Sequence, residues 1–222
     1  MIAARLRAAA AALALAIGAA APGPAGAHPH AYADIEVELV VSADGRLEAL
    51  RQTWVFDDAF SAFTIPRPRR GRPASGPDAA ALDAARRMVG DLHAHGYFTL
   101  LQRDGRRLAT GKARELRGEM REGRLAIGFL LPLAEPADLR AAALSYAVFD
   151  PSYYIEMLHR DDAAIAFAGA GAAAGCAARM VPPAPDPAEV ARAAALGPAQ
   201  SGGDSMGEAF AEKVFVRCGA KP

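Results

Sequence analysis

Apolar and polar residues alternate along much of the chain after residue 30. The clearest case runs from 31 to 41, where Ala33, Ile35, Val37 and Leu39 alternate with Tyr32, Asp34, Glu36 and Glu38. Because successive side chains of a strand point to opposite faces, this pattern predicts a half-buried β-strand. The sequence A-D-G-R at 43–46 is typical of a hairpin turn, and a second strand is predicted from 47 to 56.

The rest of the pattern predicts one main helix and several short strands. The helix begins at Asp78 as its cap and runs to about His95, with apolar residues at helical spacing, and Gly96 ends it. Further strands are predicted at 97–102, 113–120, 124–132, 142–149, 153–158, 163–167, 177–181 and 211–218. This order predicts an α+β domain that is mostly antiparallel β and sandwich-like.

The chain divides into four parts by composition. Residues 1–27 have the pattern of a signal peptide: a basic start, an apolar run and the A-x-A cleavage signal that ends at Ala27. A β-rich domain is expected over 28–181. A flexible Pro/Ala/Gly-rich segment follows at 182–207, with one short helix near 188–196, and residues 208–222 return to the domain as its last strand. The Arg/Pro-rich stretch 66–77 is expected to be an exposed loop.

Charge and hydropathy argue against two classes of protein, nucleic-acid-binding and membrane-spanning. The 222 residues carry 25 basic and 25 acidic side chains, which is not the basic excess of a nucleic-acid-binding protein. No apolar stretch after the signal peptide reaches the roughly 20 residues of a membrane span. We therefore expect an exported protein that does not itself span the membrane.

The chain has two cysteines, Cys176 and Cys218. An even pair in an exported protein favours a disulfide, and a metal-binding pair of thiolates is the alternative. In the chain-entropy model, closing a loop of about 40 residues stabilises the fold by roughly 4 kcal/mol.

Two histidines follow the predicted cleavage site, in the sequence His28-Pro29-His30. On an extended segment, residues two apart project to the same face, so one metal ion can contact both rings. Cleavage after Ala27 would add the α-amine of His28 to these donors, as in the histidine-brace arrangement of copper proteins. Neutral nitrogen donors suit nickel, cobalt, zinc or copper. The alternative is a frayed, solvated terminus.

Other candidate ligands are more distant in sequence. His93 and His95 form a second H-x-H at the predicted helix end, where a positive imidazole also interacts favourably with the helix dipole. Asp57 is the candidate carboxylate ligand, although it is also placed to cap a helical turn that follows it. His159 is interpreted as a surface residue.

Catalytic signatures are missing from the sequence. It contains no G-x-S-x-G, H-E-x-x-H or phosphate-binding loop. We do not expect an enzyme.

Several motifs in order resemble one known family. They are A-H-P-H at 27–30, W-x-F-D-x-x-F at 54–60, G-Y-F-T at 96–99, F-D-P-S-Y-Y at 149–154 and G-C at 175–176. Together they resemble the DUF1007 family of exported bacterial proteins, often labelled a periplasmic component of an uncharacterised ABC-type transport system. The resemblance implies metal handling, since such proteins are commonly encoded beside nickel/cobalt-type transporters. Many members carry an Asp-rich, calcium-loop-like insert where this chain has its Arg/Pro-rich stretch, so we expect no calcium site there.

Two functions follow as hypotheses. The first is a periplasmic accessory protein that binds a divalent transition metal and works with a membrane metal transporter or ABC-type permease. The second is a metal-free, β-rich adaptor that docks a transporter through Tyr153 and Tyr154 or through the Arg67–Arg72 surface.

Overall fold

The computed structural model describes residues 28–65, 76–141, 144–170, 175–197 and 200–219. The signal peptide predicted at 1–27 lies outside these residues, and so does most of the Arg/Pro-rich stretch. Among the described residues, no helix is long and apolar enough to cross a membrane.

Eleven strands and four α-helices are found in the described residues. The strands are β1 Ala31–Val41, β2 Arg46–Phe56, β3 Thr99–Arg103, β4 Arg106–Arg107, β5 Arg114–Arg121, β6 Arg124–Asp138, β7 Leu144–Val148, β8 Ile155–His159, β9 Ile165–Ala168, β10 Cys176–Val181 and β11 Lys213–Cys218. The helices are α1 Asp58–Thr64, α2 Pro77–Asp91, α3 Pro187–Ala195 and α4 Met206–Ala209, with 3₁₀ segments at Leu92–Phe98 and Asp162–Ala164.

The strands form two sheets. Sheet A has the order β5-β6-β2-β1-β8, and β9 also pairs with β1. Sheet B has the order β10-β11-β7-β3-β4 and is antiparallel throughout. Only β8 and β9 run parallel to their neighbour among the described pairings. The predicted α+β class, with mostly antiparallel sheets, is confirmed.

The predicted alternation places one face of β1 in the core. Ile35, Val37 and Leu39 are fully buried there. Polar side chains also join the two sheets inside: Trp54 Nε1 donates to Gln52 Oε1 at 3.0 Å, and Gln52 Nε2 donates to the Thr99 hydroxyl of β3 at 2.9 Å. The core is therefore shared by both sheets, and this polar bridge fixes how they face each other.

Helix α2 lies against strand β5 through a glycine. A Cβ atom on Gly118 would overlap the backbone of Ala81, so only glycine permits this close approach. The helix ends at Asp91 and not near His95, because the chain tightens into the 3₁₀ segment and then turns at Gly96 with a φ of 61°. Asp78 was predicted to cap the helix, and this is wrong. The N-cap position is Gly76, and the carboxylate of Asp78 accepts from Met120 N at 3.0 Å.

Candidate functional site

The turn between β7 and β8 is built around a buried carboxylate. Asp150 Oδ1 accepts from Ser152 N at 2.9 Å and from the Ser152 hydroxyl at 2.8 Å. Asp150 Oδ2 accepts from Ile155 N at 3.1 Å. Three donors to one carboxylate, which is itself buried, hold this turn in a single conformation.

The same turn positions the two histidines at the start of β1. Both His30 N and Ala31 N donate to the carbonyl oxygen of Tyr154, at 2.9 and 3.2 Å. The ring of Tyr154 lies 5.2 Å from the ring of His30 and 6.2 Å from the ring of His28, measured between centroids. The chain segment carrying both histidines is therefore held by backbone hydrogen bonds.

His28 has the most unusual environment of any polar residue in this region. Its side chain is 7 % exposed, and neither Nδ1 nor Nε2 has a hydrogen-bond partner among the described residues. Its ring centroid lies 4.5 Å from that of His30, in an edge-on arrangement, and the His30 ring is exposed. Since buried polar atoms are nearly always paired, the imidazole of His28, which has no such partner among the described residues, is a candidate to bind a ligand.

The electrostatics at His28 favour the neutral ring. Burial lowers the pKa of His28 below its usual value, and the neighbouring His30 lowers it further. The backbone of Gln200 and the negative charge of Asp150 raise this pKa more weakly. A neutral imidazole has a free lone pair, which is the form that binds metal ions.

The other three predicted ligands do not join this pair. Asp57 is the N-cap of α1: its Oδ1 accepts from Phe60 N at 2.9 Å, and its Oδ2 accepts from Tyr32 N at 2.8 Å. His93 and His95 are exposed on the 3₁₀ segment, beside the rings of Tyr97 and Phe98. Within the described residues, no group of three or more His, Cys, Asp or Glu side chains is arranged to hold a metal ion.

A buried polar network escaped the sequence analysis. His159 was predicted to lie on the surface, and this is wrong because it is only 5 % exposed. Its Nδ1 lies 2.8 Å from Glu212 Oε2, and its Nε2 lies 3.1 Å from the hydroxyl of Tyr146. The available signal was period 2 in β8, since Met157 and His159 share the inward face of that strand.

Tyr146 is held in its neutral form by this network. Burial raises the pKa of Tyr146 far above its usual value, and the negative charge of Glu212 raises it further. The hydroxyl therefore keeps its proton at physiological pH and lies within hydrogen-bond distance of His159 Nε2.

The predicted disulfide joins Cys176 to Cys218. These residues face each other across the antiparallel pair of β10 and β11. The bridge fixes the end of sheet B and closes a loop that contains α3 and α4. The alternative of a metal-binding thiol pair is excluded, because both sulfur atoms are bonded to each other.

A groove with a volume of about 440 Å³ lies on the outer face of sheet A. Four of its charged side chains are paired with one another: Arg124 with Asp34 at 2.8 Å, and Arg121 with Glu36 at 3.1 Å. Such a lining is not the apolar surface with a few polar groups that is typical of small-molecule sites.

A comparison with known protein families matches residues 13–218 to the model of DUF1007, which is described as a protein of unknown function. The chain belongs to the DUF1007 family. An uncharacterized protein of Haemophilus influenzae is 31 % identical over 91 residues, covering 40 % of this chain and 43 % of the relative. The matched region thus spans less than half the length of that relative.

The motifs that resemble DUF1007 have structural roles that can now be stated. Phe56 and Phe60 stack on each other at 4.5 Å between centroids, and Asp57 caps the helix between them. The motif F-D-P-S-Y-Y forms the turn around Asp150 that holds the two amino-terminal histidines. In this DUF1007 protein, therefore, the second of these motifs contributes directly to the surroundings of His28.

Proposed function

We propose that this DUF1007 protein is an exported accessory protein that binds a divalent transition metal through His28 and His30. The metal is nickel, cobalt, zinc or copper, and the protein passes it to or from a membrane transporter. The observation that carries the proposal is the buried imidazole of His28, beside the ring of His30, with neither nitrogen hydrogen-bonded to any part of the chain that the structure describes.

The chemistry of an unpaired imidazole supports a metal ligand. A buried polar group without a partner destabilises a fold by roughly 1–3 kcal/mol, and a ligand that pairs with it recovers that free energy. Imidazole is a donor for the borderline metals, and the lowered pKa of His28 keeps the ring in its metal-binding form.

A site with only two protein ligands supports the role of a metal carrier. Structural zinc sites close all four positions with protein side chains, whereas exchangeable sites keep positions open. Two imidazoles leave coordination positions for water or for ligands of a receiving protein. The disulfide supports an oxidising compartment as the place of action.

Binding can be tested by calorimetry with Ni²⁺, Co²⁺, Zn²⁺ and Cu²⁺ on the protein that begins at His28. Replacing both histidines, His28→Ala with His30→Ala, should weaken binding more than about 100-fold, beyond the effect of losing an outer-shell partner. The chain offers a matched control, because His93→Ala with His95→Ala removes another H-x-H and should leave affinity unchanged. Equal affinity of the His28/His30 variant and the wild type would refute the proposal.

A growth test in cells under metal limitation distinguishes the adaptor hypothesis from metal carriage. Of its two predicted docking tyrosines, Tyr153 is buried, whereas Tyr154 is 44 % exposed. The Arg67–Arg72 surface lies outside the described residues. If the His28/His30 variant supports growth under metal limitation while Tyr154→Ala does not, docking through Tyr154 replaces metal carriage as the function.

A further inference from the structure

Residues 200–210, here called the strap, lie across the turn that holds the histidines. Gly202 N donates to the carbonyl oxygen of Ser152 at 3.1 Å, and Gly207 N donates to that of Pro151 at 2.9 Å. At both glycines a Cβ atom would overlap a carbonyl oxygen of the turn, so the two backbones touch directly. The strap therefore lies directly on the turn at these two positions.

Beyond these glycines, an aromatic pair joins the strap to the turn. The ring of Phe210 stacks on the ring of Tyr153 with centroids 4.0 Å apart and planes 14° apart. Just after the strap, Glu212 accepts from His159 N at 2.7 Å. The strap is thus joined to the core at its carboxyl end.

The amino-terminal end of the strap lies beside His28. The backbone of Gln200 is close enough to the imidazole to raise its pKa, and His28 N lies 3.5 Å from the carbonyl oxygen of Ala193 in helix α3. His30, two residues later, is exposed. The difference in exposure between the two histidines therefore coincides with the position of the strap and α3.

Most residues of the strap lie at the surface. Gly207 is its only fully buried residue, and most of its other residues are exposed. Segments with little buried apolar surface open with much smaller free energies than the core. The strap is therefore expected to open at a smaller free energy than the two sheets.

We propose that the strap is a movable cover that controls access to His28. A ligand in solution reaches this imidazole only when the strap has detached from the turn, so strap opening limits the rate of loading and release. The inference rests on the proposed function for the nature of the ligand. The movement itself can be measured without any metal.

The probe is diethyl pyrocarbonate, which modifies accessible imidazoles, with the modified residues located by fragmentation mass spectrometry. Reversal by hydroxylamine separates ring adducts from amine adducts. Three histidines serve as internal reporters: exposed His30, covered His28 and core His159. In the wild type, His28 should react at least tenfold more slowly than His30, and His159 should be the slowest.

Weakening the aromatic fastening should expose His28 selectively. Because Phe210→Ala removes both the stacking and the buried area of this aromatic pair, it should accelerate modification of His28 by about tenfold. The rates at His30 and His159 should stay unchanged. The matched control is Phe215→Ala, which removes a half-exposed aromatic ring from β11 and should leave all three rates unchanged. A wild-type His28 that reacts as fast as His30, or a folded Phe210→Ala protein with an unaltered His28 rate, would overturn the proposal.

Hydrogen exchange of the wild type gives a second test of strap opening. This test remains valid even if Phe210→Ala unfolds and exposes His159. The amides of Gly202 and Gly207 should exchange together, at least 100-fold faster than the slowest amides of β7 and β11. Exchange of both glycines only with global unfolding would show that the strap does not open. If the wild type binds no metal but its His28 reacts slowly with the reagent, only the proposed function is refuted. Failure of the proposed function and failure of the movable cover can therefore be distinguished.

Discussion

At the residue scale, the buried network of Tyr146, His159 and Glu212 shows how one histidine can be fully satisfied. An ionised carboxylate only accepts hydrogen bonds, so the Nδ1–H of His159 donates to Glu212. The Nε2 lone pair of a neutral ring is then free to accept the proton of the Tyr146 hydroxyl. Within the residues that the structure describes, His28 has neither kind of partner, and this contrast separates a structural histidine from a candidate ligand.

Removing the hydroxyl of Tyr146 should therefore destabilise the fold. Tyr146→Phe leaves the buried Nε2 of His159 unpaired, which should lower the free energy of unfolding by about 1–3 kcal/mol in urea denaturation. The control is Tyr154→Phe, at a half-exposed ring, which should change it by less than about 0.5 kcal/mol. An unchanged stability of Tyr146→Phe would contradict the network.

Stability should also fall at alkaline pH. Burial raises the pKa of Tyr146 and of Tyr153, so the folded state retains these protons above the ordinary tyrosine value of about 10. Their stabilising contribution is complete below that value and is lost as the pH rises through the folded pKa values. Absorbance at 295 nm should show these two tyrosines ionising only on unfolding, and Tyr146→Phe should flatten the decline. Ionisation of all five tyrosines together near pH 10, in the folded protein, would rule this out.

Sequence reasoning worked best where the environment of a residue depends on its immediate neighbours. Asp57 could be interpreted as a helix cap because its partner, Phe60 N, is three residues away. The partners of His159 are 13 and 53 residues away, so no local pattern could pair them. The unpaired state of His28 depends likewise on remote segments, and the sequence indicated only that it was a nitrogen donor near a second one.

At the element scale, helix α1 depends on both carboxylate oxygens of Asp57. The side chain caps the helix and also accepts from Tyr32 N of β1, so it ties the helix to sheet A. Elements of this kind were predictable from sequence, and so was the disulfide. The order of strands in each sheet was not, because alternation shows which face of a strand is buried but not which strands are its neighbours.

Asp57→Ala should consequently destabilise the protein without weakening metal binding. Loss of a cap costs about 1–2 kcal/mol, and the freed amide of Tyr32 adds to this effect. Thermal or urea unfolding measures the first part, and calorimetry with Cu²⁺ or Ni²⁺ measures the second. Asp58→Ala is the neighbouring control, since Asp58 is exposed and accepts no capping bond. A large loss of affinity in folded Asp57→Ala would instead restore Asp57 as a ligand.

At the scale of the whole molecule, the disulfide closes a loop of 42 residues in sequence separation that includes α3 and the strap. Replacing both cysteines, Cys176→Ser with Cys218→Ser, should reduce the free energy of unfolding by roughly 4 kcal/mol in the chain-entropy model. Chemical denaturation measures the change, and reduced wild-type protein should behave like the variant. Equal stability of oxidised and reduced protein would show that the bridge is dispensable.

The central position of β1 also dictates when the molecule can become complete. The first described strand lies between β2 and the late strands β8 and β9, which pair with it in parallel more than a hundred residues further along the chain. A nascent β1–β2 hairpin therefore has an open edge of unpaired amides and carbonyls until those late strands arrive. Such long-range pairing makes folding slow, since loop closure must precede the contacts that reward it. Until then this edge is a template for wrong pairing between chains, so a chaperone that shields extended segments would have its greatest effect on the nascent amino-terminal half.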